Sequence, residues 1–126
     1  MPNLNPLYYE TWFVCGGNDP AAFAIITAHN PNGQKVDAEE NEQLNQRLVT
    51  RLEELAIGYF PVAAGSKDRS HVEASYGIIT DLSTAISLCN QFDQDAIFWI
   101  EEGQLSIVDR HETTKNYVAG WNSRLI

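Results

Sequence analysis

Residues 23–41, FAIITAHNPNGQKVDAEEN, decide the fold. Phe23–Ala28 shows almost no alternation of apolar and polar positions, so both faces of this strand are covered and it lies centrally in a sheet. It stops at His29-Asn30-Pro31-Asn32-Gly33, a run of residues that favour turn backbone. Asp37 then opens a helix, its carboxylate able to cap while Glu40 stands in the reciprocal position three residues on. Asp37, Glu39, Glu40 and Glu42 crowd the first turn, where the helix dipole favours negative charge. Leu44, Leu48, Leu52 and Leu55 follow at spacings of four, four and three, which makes one helix face apolar.

Gly58 is expected to end that helix in the left-handed conformation. Tyr59–Ala64 reads as a strand whose Pro61 points to an edge place, since proline lacks a ladder donor. A polar loop at 65–70 precedes a strand at Val72–Thr80, and Asp81 opens a second helix. Leu82, Ala85, Ile86 and Cys89 fall at i, i+3, i+4 and i+7 of that helix, and Asp93-Gln94-Asp95 ends it. Ala96–Ile100 and Leu105–Asp109 flank Glu101–Gln104 at hairpin spacing. Upstream, Leu7–Cys15 (LYYETWFVC) has strand composition, and Gly16–Pro20 is a dense turn signal. The tail beyond 110 is expected as an arm, docking Tyr117, Val118 and Trp121 as a short helix or irregular segment.

From 22 to 100 the order is strand, helix, strand, strand, helix, strand. This predicts an α+β domain with a ferredoxin-like split βαβ core and added strands at each end. A length of 126 residues suits one domain, 1–126, with its core at about 7–109 and an arm at 110–126. Eight Lys plus Arg against seventeen Asp plus Glu give a net charge of −9, so direct nucleic-acid binding is disfavoured. No apolar run approaches the roughly 18 residues of a membrane span, and no secretory leader is expected at the start. Cys15 and Cys89 lie without CxxC or Cys/His spacing, which suits reduced thiols of a cytoplasmic protein.

In that topology the first and third strands of the motif are antiparallel neighbours, so the end of Phe23–His29 lies beside the beginning of Val72–Thr80. Thr27, His29 and Asn30 thereby approach Arg69, His71 and Glu73, and the start of the first helix brings Asn41 and Asn45. Thr27, Asn30, Asn41, Asn45, Arg69 and Glu73 are the candidate ligand-binding residues, because hydroxyl, amide and charged groups make directional contacts to a small polar molecule. Asn30 and Asn41 equally suit a bracing role, tying the turn to the helix through buried hydrogen bonds. Glu73 with His29 or His71 is the candidate acid–base set, and the same three side chains are chemically adequate as a metal site. Their spacing is not that of a metal motif, so neither a metal nor another cofactor is expected. Phosphate-loop, GxSxG and HExxH patterns are missing. Trp12, Trp99 and Trp121 are read as core or interface area.

Thr27-Ala28-His29-Asn30-Pro31, then Ala38-Glu39-Glu40-Asn41 with Asn45 and Leu48, Glu73 opening a strand, and Phe92-Asp93-Gln94-Asp95-Ala96 together resemble an uncharacterised bacterial family, DUF3293. The resemblance spans about residues 22–109. It implies domain boundaries and a polar site, and no reaction. His29 stands where that family more usually has tryptophan, and Asp95 where it often has asparagine, so a role that needs His29 is not implied for the whole family.

The reading that joins these features is a non-enzymatic binding or protein-interaction module with a pocket for a small polar ligand. Two alternatives belong to other classes. One is a small hydrolase or lyase using Glu73 with a histidine or a metal. The other is an acidic inhibitor or nucleic-acid mimic whose charge fits a basic partner protein.

Overall fold

The computed structural model describes residues 6–16, 20–111 and 114–126. Most of the turn expected at 16–20 lies outside the described residues. The elements are β1 (Trp12–Val14), β2 (Ala22–Ile26), α1 (Ala38–Glu54), β3 (Gly58–Gly65), β4 (Val72–Ile79), α2 (Leu82–Gln91), β5 (Ala96–Glu101), β6 (Gln104–Asp109) and β7 (Lys115–Gly120). All seven strands form one antiparallel sheet in the order β1-β3-β4-β2-β5-β6-β7. The fold is α+β, with a sheet larger than the four-stranded core.

β2 lies at the centre, between β4 and β5, and both of its faces are covered. Ala24 and Ile26 pack with Leu48 and Leu52 of α1 and with Ala85, Leu88 and Cys89 of α2. Phe23 and Ile25 face the opposite way, into a second apolar cluster with Phe13, Val62, Phe98, Ile100, Ile107 and Trp121. The unbroken apolar run thus follows from two cores sharing one strand. Asp37 caps α1 by accepting from Glu40 N–H at 2.8 Å, and Asp81 caps α2 by accepting from Thr84 N–H at 2.7 Å. Among the described residues no helix is long and apolar enough to cross a membrane.

Five local expectations are corrected. Leu7–Tyr9 belong to a 3₁₀ turn, Pro6–Glu10, and only Trp12–Val14 is extended. Aromatic composition favours a strand there, but Tyr8 is drawn down onto Phe98, with ring centroids 5.9 Å apart. Ala56, with φ 56°, takes the left-handed position expected of Gly58, which instead opens β3. Leu55 caps the end of α1 and is exposed, so the buried stripe is Leu48 and Leu52 with Leu44 partly covered. β3 is second from the end of the sheet. β1 pairs only with residues 63–65 of its outer side, so Pro61 sits beyond the pairing, where a missing donor is harmless. The tail is a seventh strand followed by a 3₁₀ turn, Trp121–Arg124, that buries Trp121.

After β7 the chain returns to the far end of the sheet. Leu125 bridges Phe13 in parallel, Ile126 N–H donates to Phe13 O at 2.9 Å, and Arg124 donates to Tyr9 O at 2.8 Å. The sheet therefore curls on itself, with the second cluster inside the curl and both helices outside.

Candidate functional site

β2 ends at Ile26, and its antiparallel partners place the beginnings of β4 and β5 beside that end. A cleft of about 380 Å³ opens there, on the face away from the helices. Ile25, Ala64, Ala96 and Phe98 give it an apolar floor, and Tyr8 from the N-terminal turn forms one wall. Thr27, His29, His71, Glu73, Gln94 and Asp95 bring polar groups to the same space.

The backbone entering the cleft is held by side chains of α1. Asn45 is buried; its Oδ1 accepts from Ala28 N–H and its Nδ2 donates to Ala74 O, each at 2.9 Å. One amide thus joins the chain after β2 to β4. Asn41 Oδ1 accepts from Asn30 N–H at 2.9 Å, and Asn41 Nδ2 donates to Asn30 Oδ1 at 3.2 Å. Asn30 is left-handed, with φ 51°, a conformation asparagine tolerates better than most residues. Its Oδ1 also accepts from Val36 N–H at 3.1 Å, closing the turn.

Thr27 Oγ1 donates to Ala74 O at 2.9 Å and accepts from His29 N–H at 3.1 Å. Gln94, buried just before β5, donates from its amide nitrogen to two carbonyls, of His29 at 3.0 Å and of Phe92 at 3.2 Å. The main chain on either side of His29 is thereby fixed from two directions. Cys89 Sγ donates to Gln94 O at 3.1 Å, and burial pushes this thiol up to about 12.

His71 Nε2 and Glu73 Oε2 lie 2.9 Å apart at the rim. The Glu73 side chain is 25% exposed and that of His71 65%, so the carboxylate faces inward and the imidazole outward. His29 is held below the usual histidine range, chiefly by burial; His71 acts in the same direction and Glu73 against it. The Tyr8 phenol is raised, first by burial and then by Asp95 and Glu73, which places both carboxylates within electrostatic reach of its hydroxyl. Among the described residues no group of three or more His, Cys, Asp or Glu side chains is placed to hold a metal ion.

Of the residues expected at the site, Thr27, His29, Asn30, His71 and Glu73 line the cleft. Asn41 stands behind Asn30, and Asn45 faces a second recess that shares His29. Arg69 is elsewhere: its guanidinium reaches Trp12 O and Ala63 O at 3.5 Å, tying the β3–β4 hairpin to β1. Tyr8, Lys35, Ser75, Gln94 and Asp95 were not among the candidates. The signal for Gln94 and Asp95 lay in strand order, since β5 starts where β2 ends. Tyr8 reaches the site only through the curl of the sheet, which no local pattern encodes.

No curated protein and no solved structure matches the chain. One family model does, over residues 26–97, more than half of the chain. That segment runs from the last residue of β2 to the second of β5 and carries the polar rim from Thr27 to Asp95, while Tyr8 and Phe98 fall outside it. The agreement of this span with the motifs around Thr27–Pro31, Ala38–Asn41 and Phe92–Ala96 gives the membership: the chain belongs to DUF3293, a family described as protein of unknown function.

Proposed function

We propose that the protein is a non-enzymatic module that binds a small polar ligand in the cleft between the start of β4, the start of β5 and Tyr8. The observation that carries this reading is the cleft itself. It is concave, it has an apolar floor, and a few polar groups converge on it from separate elements, which are the usual attributes of a small-molecule site. The braces of Asn30, Asn41, Asn45 and Gln94 support it further, because they hold the rim's backbone in place before any ligand arrives. The setting we infer is the cytoplasm, supported by Cys89 being a buried free thiol. A ferredoxin-like core is the matching fold proposal, supported by the adjacency β3-β4-β2-β5, antiparallel throughout.

A second reading, a small hydrolase or lyase, draws support from one feature. Glu73 is oriented by His71 and lines the same cleft as His29, whose pKa burial lowers, an arrangement suited to moving a proton.

A thermal-shift screen of metabolites on wild type, His29→Ala and Asn45→Ala tests the first reading, since a ligand that binds only the folded state raises its melting temperature. A compound that stabilises wild type and loses that effect in His29→Ala supports the cleft. Asn45→Ala is expected to melt lower without any ligand, by about 2–3 kcal/mol, because Ala28 N–H is left buried without a partner. No response of wild type to any compound rejects the binding reading. Turnover of a responding compound, lost in Glu73→Gln, replaces it with the acid–base one.

A further inference from the structure

Three neutral side chains of the cleft turn their donors to the protein's own backbone. Gln94 directs its amide nitrogen to two carbonyls, the Thr27 hydroxyl donates to Ala74 O, and the Ser75 hydroxyl donates to Glu73 O at 3.2 Å. The donors of these three side chains are therefore committed to the protein's own backbone. The carboxylates are not. Asp95 carries neither a hydrogen bond nor an ion pair on its side chain among the described residues, and it lies against the 30–33 turn, with Oδ2 3.7 Å from where a Cβ on Gly33 would stand. Glu73 engages only His71, and through one oxygen. Lys35, the one lysine at this cleft, is on an exposed stretch of loop. The rings of Tyr8 and Phe98, 5.9 Å apart and inclined at 47°, line the same cleft as the carboxylates.

We propose that the cleft binds an ammonium or guanidinium group, seated between Glu73 and Asp95 against the Tyr8 ring. This inference rests on the binding reading above and names the ligand class for it. An anionic ligand placed there would meet two carboxylates against one exposed lysine, Lys35. A neutral hydroxyl compound would leave the partly buried charge of Asp95 without an ion pair among the described residues. A cation supplies both hydrogen bonds and opposite charge to Asp95 and to the second oxygen of Glu73, and aromatic faces attract it as well. The net charge of −9 adds a long-range field that draws cations toward the molecule. The same chemistry has two sources, a free small amine or guanidine and the tip of a basic side chain on another protein; about 380 Å³ admits either.

The test is an amide chemical-shift titration of the full chain with methylguanidinium, n-butylammonium, n-butanol and butyrate at equal concentrations. Both cations are expected to give saturable shifts at Thr27, Ser75 and Phe98, weakened by added salt, with n-butanol and butyrate at least about tenfold weaker. Asp95→Asn removes a charge that makes no internal bond, so it is expected to keep the native spectrum while weakening cation binding about tenfold or more. Glu73→Gln is the second variant and is expected to act in the same direction. Equal or tighter binding of n-butanol or butyrate at these amides, or cation binding untouched in both variants, overturns the assignment and leaves the binding reading standing. No shift at these amides with any of the four compounds overturns the assignment as well, and the metabolite screen alone decides the binding reading. To separate the sources, capped Gly-Arg-Gly is compared with methylguanidinium. Tighter binding of the peptide assigns a protein side chain, and equal or weaker binding assigns a free small cation.

Discussion

Three asparagines near the cleft illustrate how polar residues act when they face a core. Asn30, Asn41 and Asn45 all make hydrogen bonds that tie the turn after β2 to α1 or β4. These bonds fix the backbone of the site, while Asn30 also lines the cleft and Asn45 a second recess. His29 differs, because its titration is tied to folding. Burial holds its pKa below the ordinary histidine value of 6.5, with Glu73 opposing and His71 reinforcing. As pH falls, the unfolded chain takes up this proton first, so it binds more protons than the native chain from 6.5 down to the lowered native value. Stability from His29 is therefore complete above 6.5 and is lost as pH falls through that window. Urea unfolding from about pH 7.5 to about pH 5.5 is expected to show a steeper loss for wild type than for His29→Gln. Superimposable profiles would remove His29 as the source of acid sensitivity.

At the scale of elements, two glycines in paired strands show why equal substitutions have unequal costs. A Cβ on Gly77 of β4 would overlap the ring of Phe60, its cross-strand partner, and a ring can turn aside. A Cβ on Gly65 would overlap the carbonyl oxygen and the backbone of His71, at the tight end of the β3–β4 hairpin. Main chain held by the ladder cannot yield in that way. Gly65→Ala is thus expected to destabilise by roughly 2–4 kcal/mol and Gly77→Ala by roughly 1–2 kcal/mol in urea titrations, the larger loss accompanied by shifted signals for His71 and Glu73. The reverse ranking would mean that the hairpin is more compliant than its pairing suggests. The same contrast between local and distant constraint explains what was legible beforehand. α1 could be read from Asp37, Glu40 and the leucine stripe because cap and core face lie within one segment. The meeting of Thr27 with the start of β4 followed from strand adjacency alone. β7 could not be read, since it alternates weakly, with Tyr117 exposed and its pairing with β6 shifted between Leu105 and Ser106. Tyr8 escaped for the same reason: its place is set by Phe98, ninety positions on, and not by its neighbours in sequence.

For the whole molecule, the consequential feature is that both ends of the described chain cover one face of the sheet. A sheet with helices on one side leaves its other face in water unless something covers it; here Phe13, Trp121 and Leu125 do so, continuous with the floor of the cleft. Trp121 is 4% exposed and packs on Phe13 and Phe23 at centroid distances of 5.0 and 5.6 Å. Arg124, in the same turn, holds the carbonyls of Tyr9 and Thr11, and so carries the wall that bears Tyr8. Trp121 therefore supports the site without touching it. Trp121→Ala is expected to cost about 3–5 kcal/mol, the range for deleting a buried aromatic side chain. The loss should not be uniform. α1, α2 and the first cluster remain packed on the other face, so hydrogen exchange is expected to accelerate most at β1 and around Tyr8, and least at Leu48, Leu52 and Leu88. Trp121→Phe refills most of the volume and is expected to recover most of the protection at β1. If Trp121→Ala instead raised exchange equally on both faces, the two clusters would unfold as one unit, and the cleft's roof would have no separate opening transition.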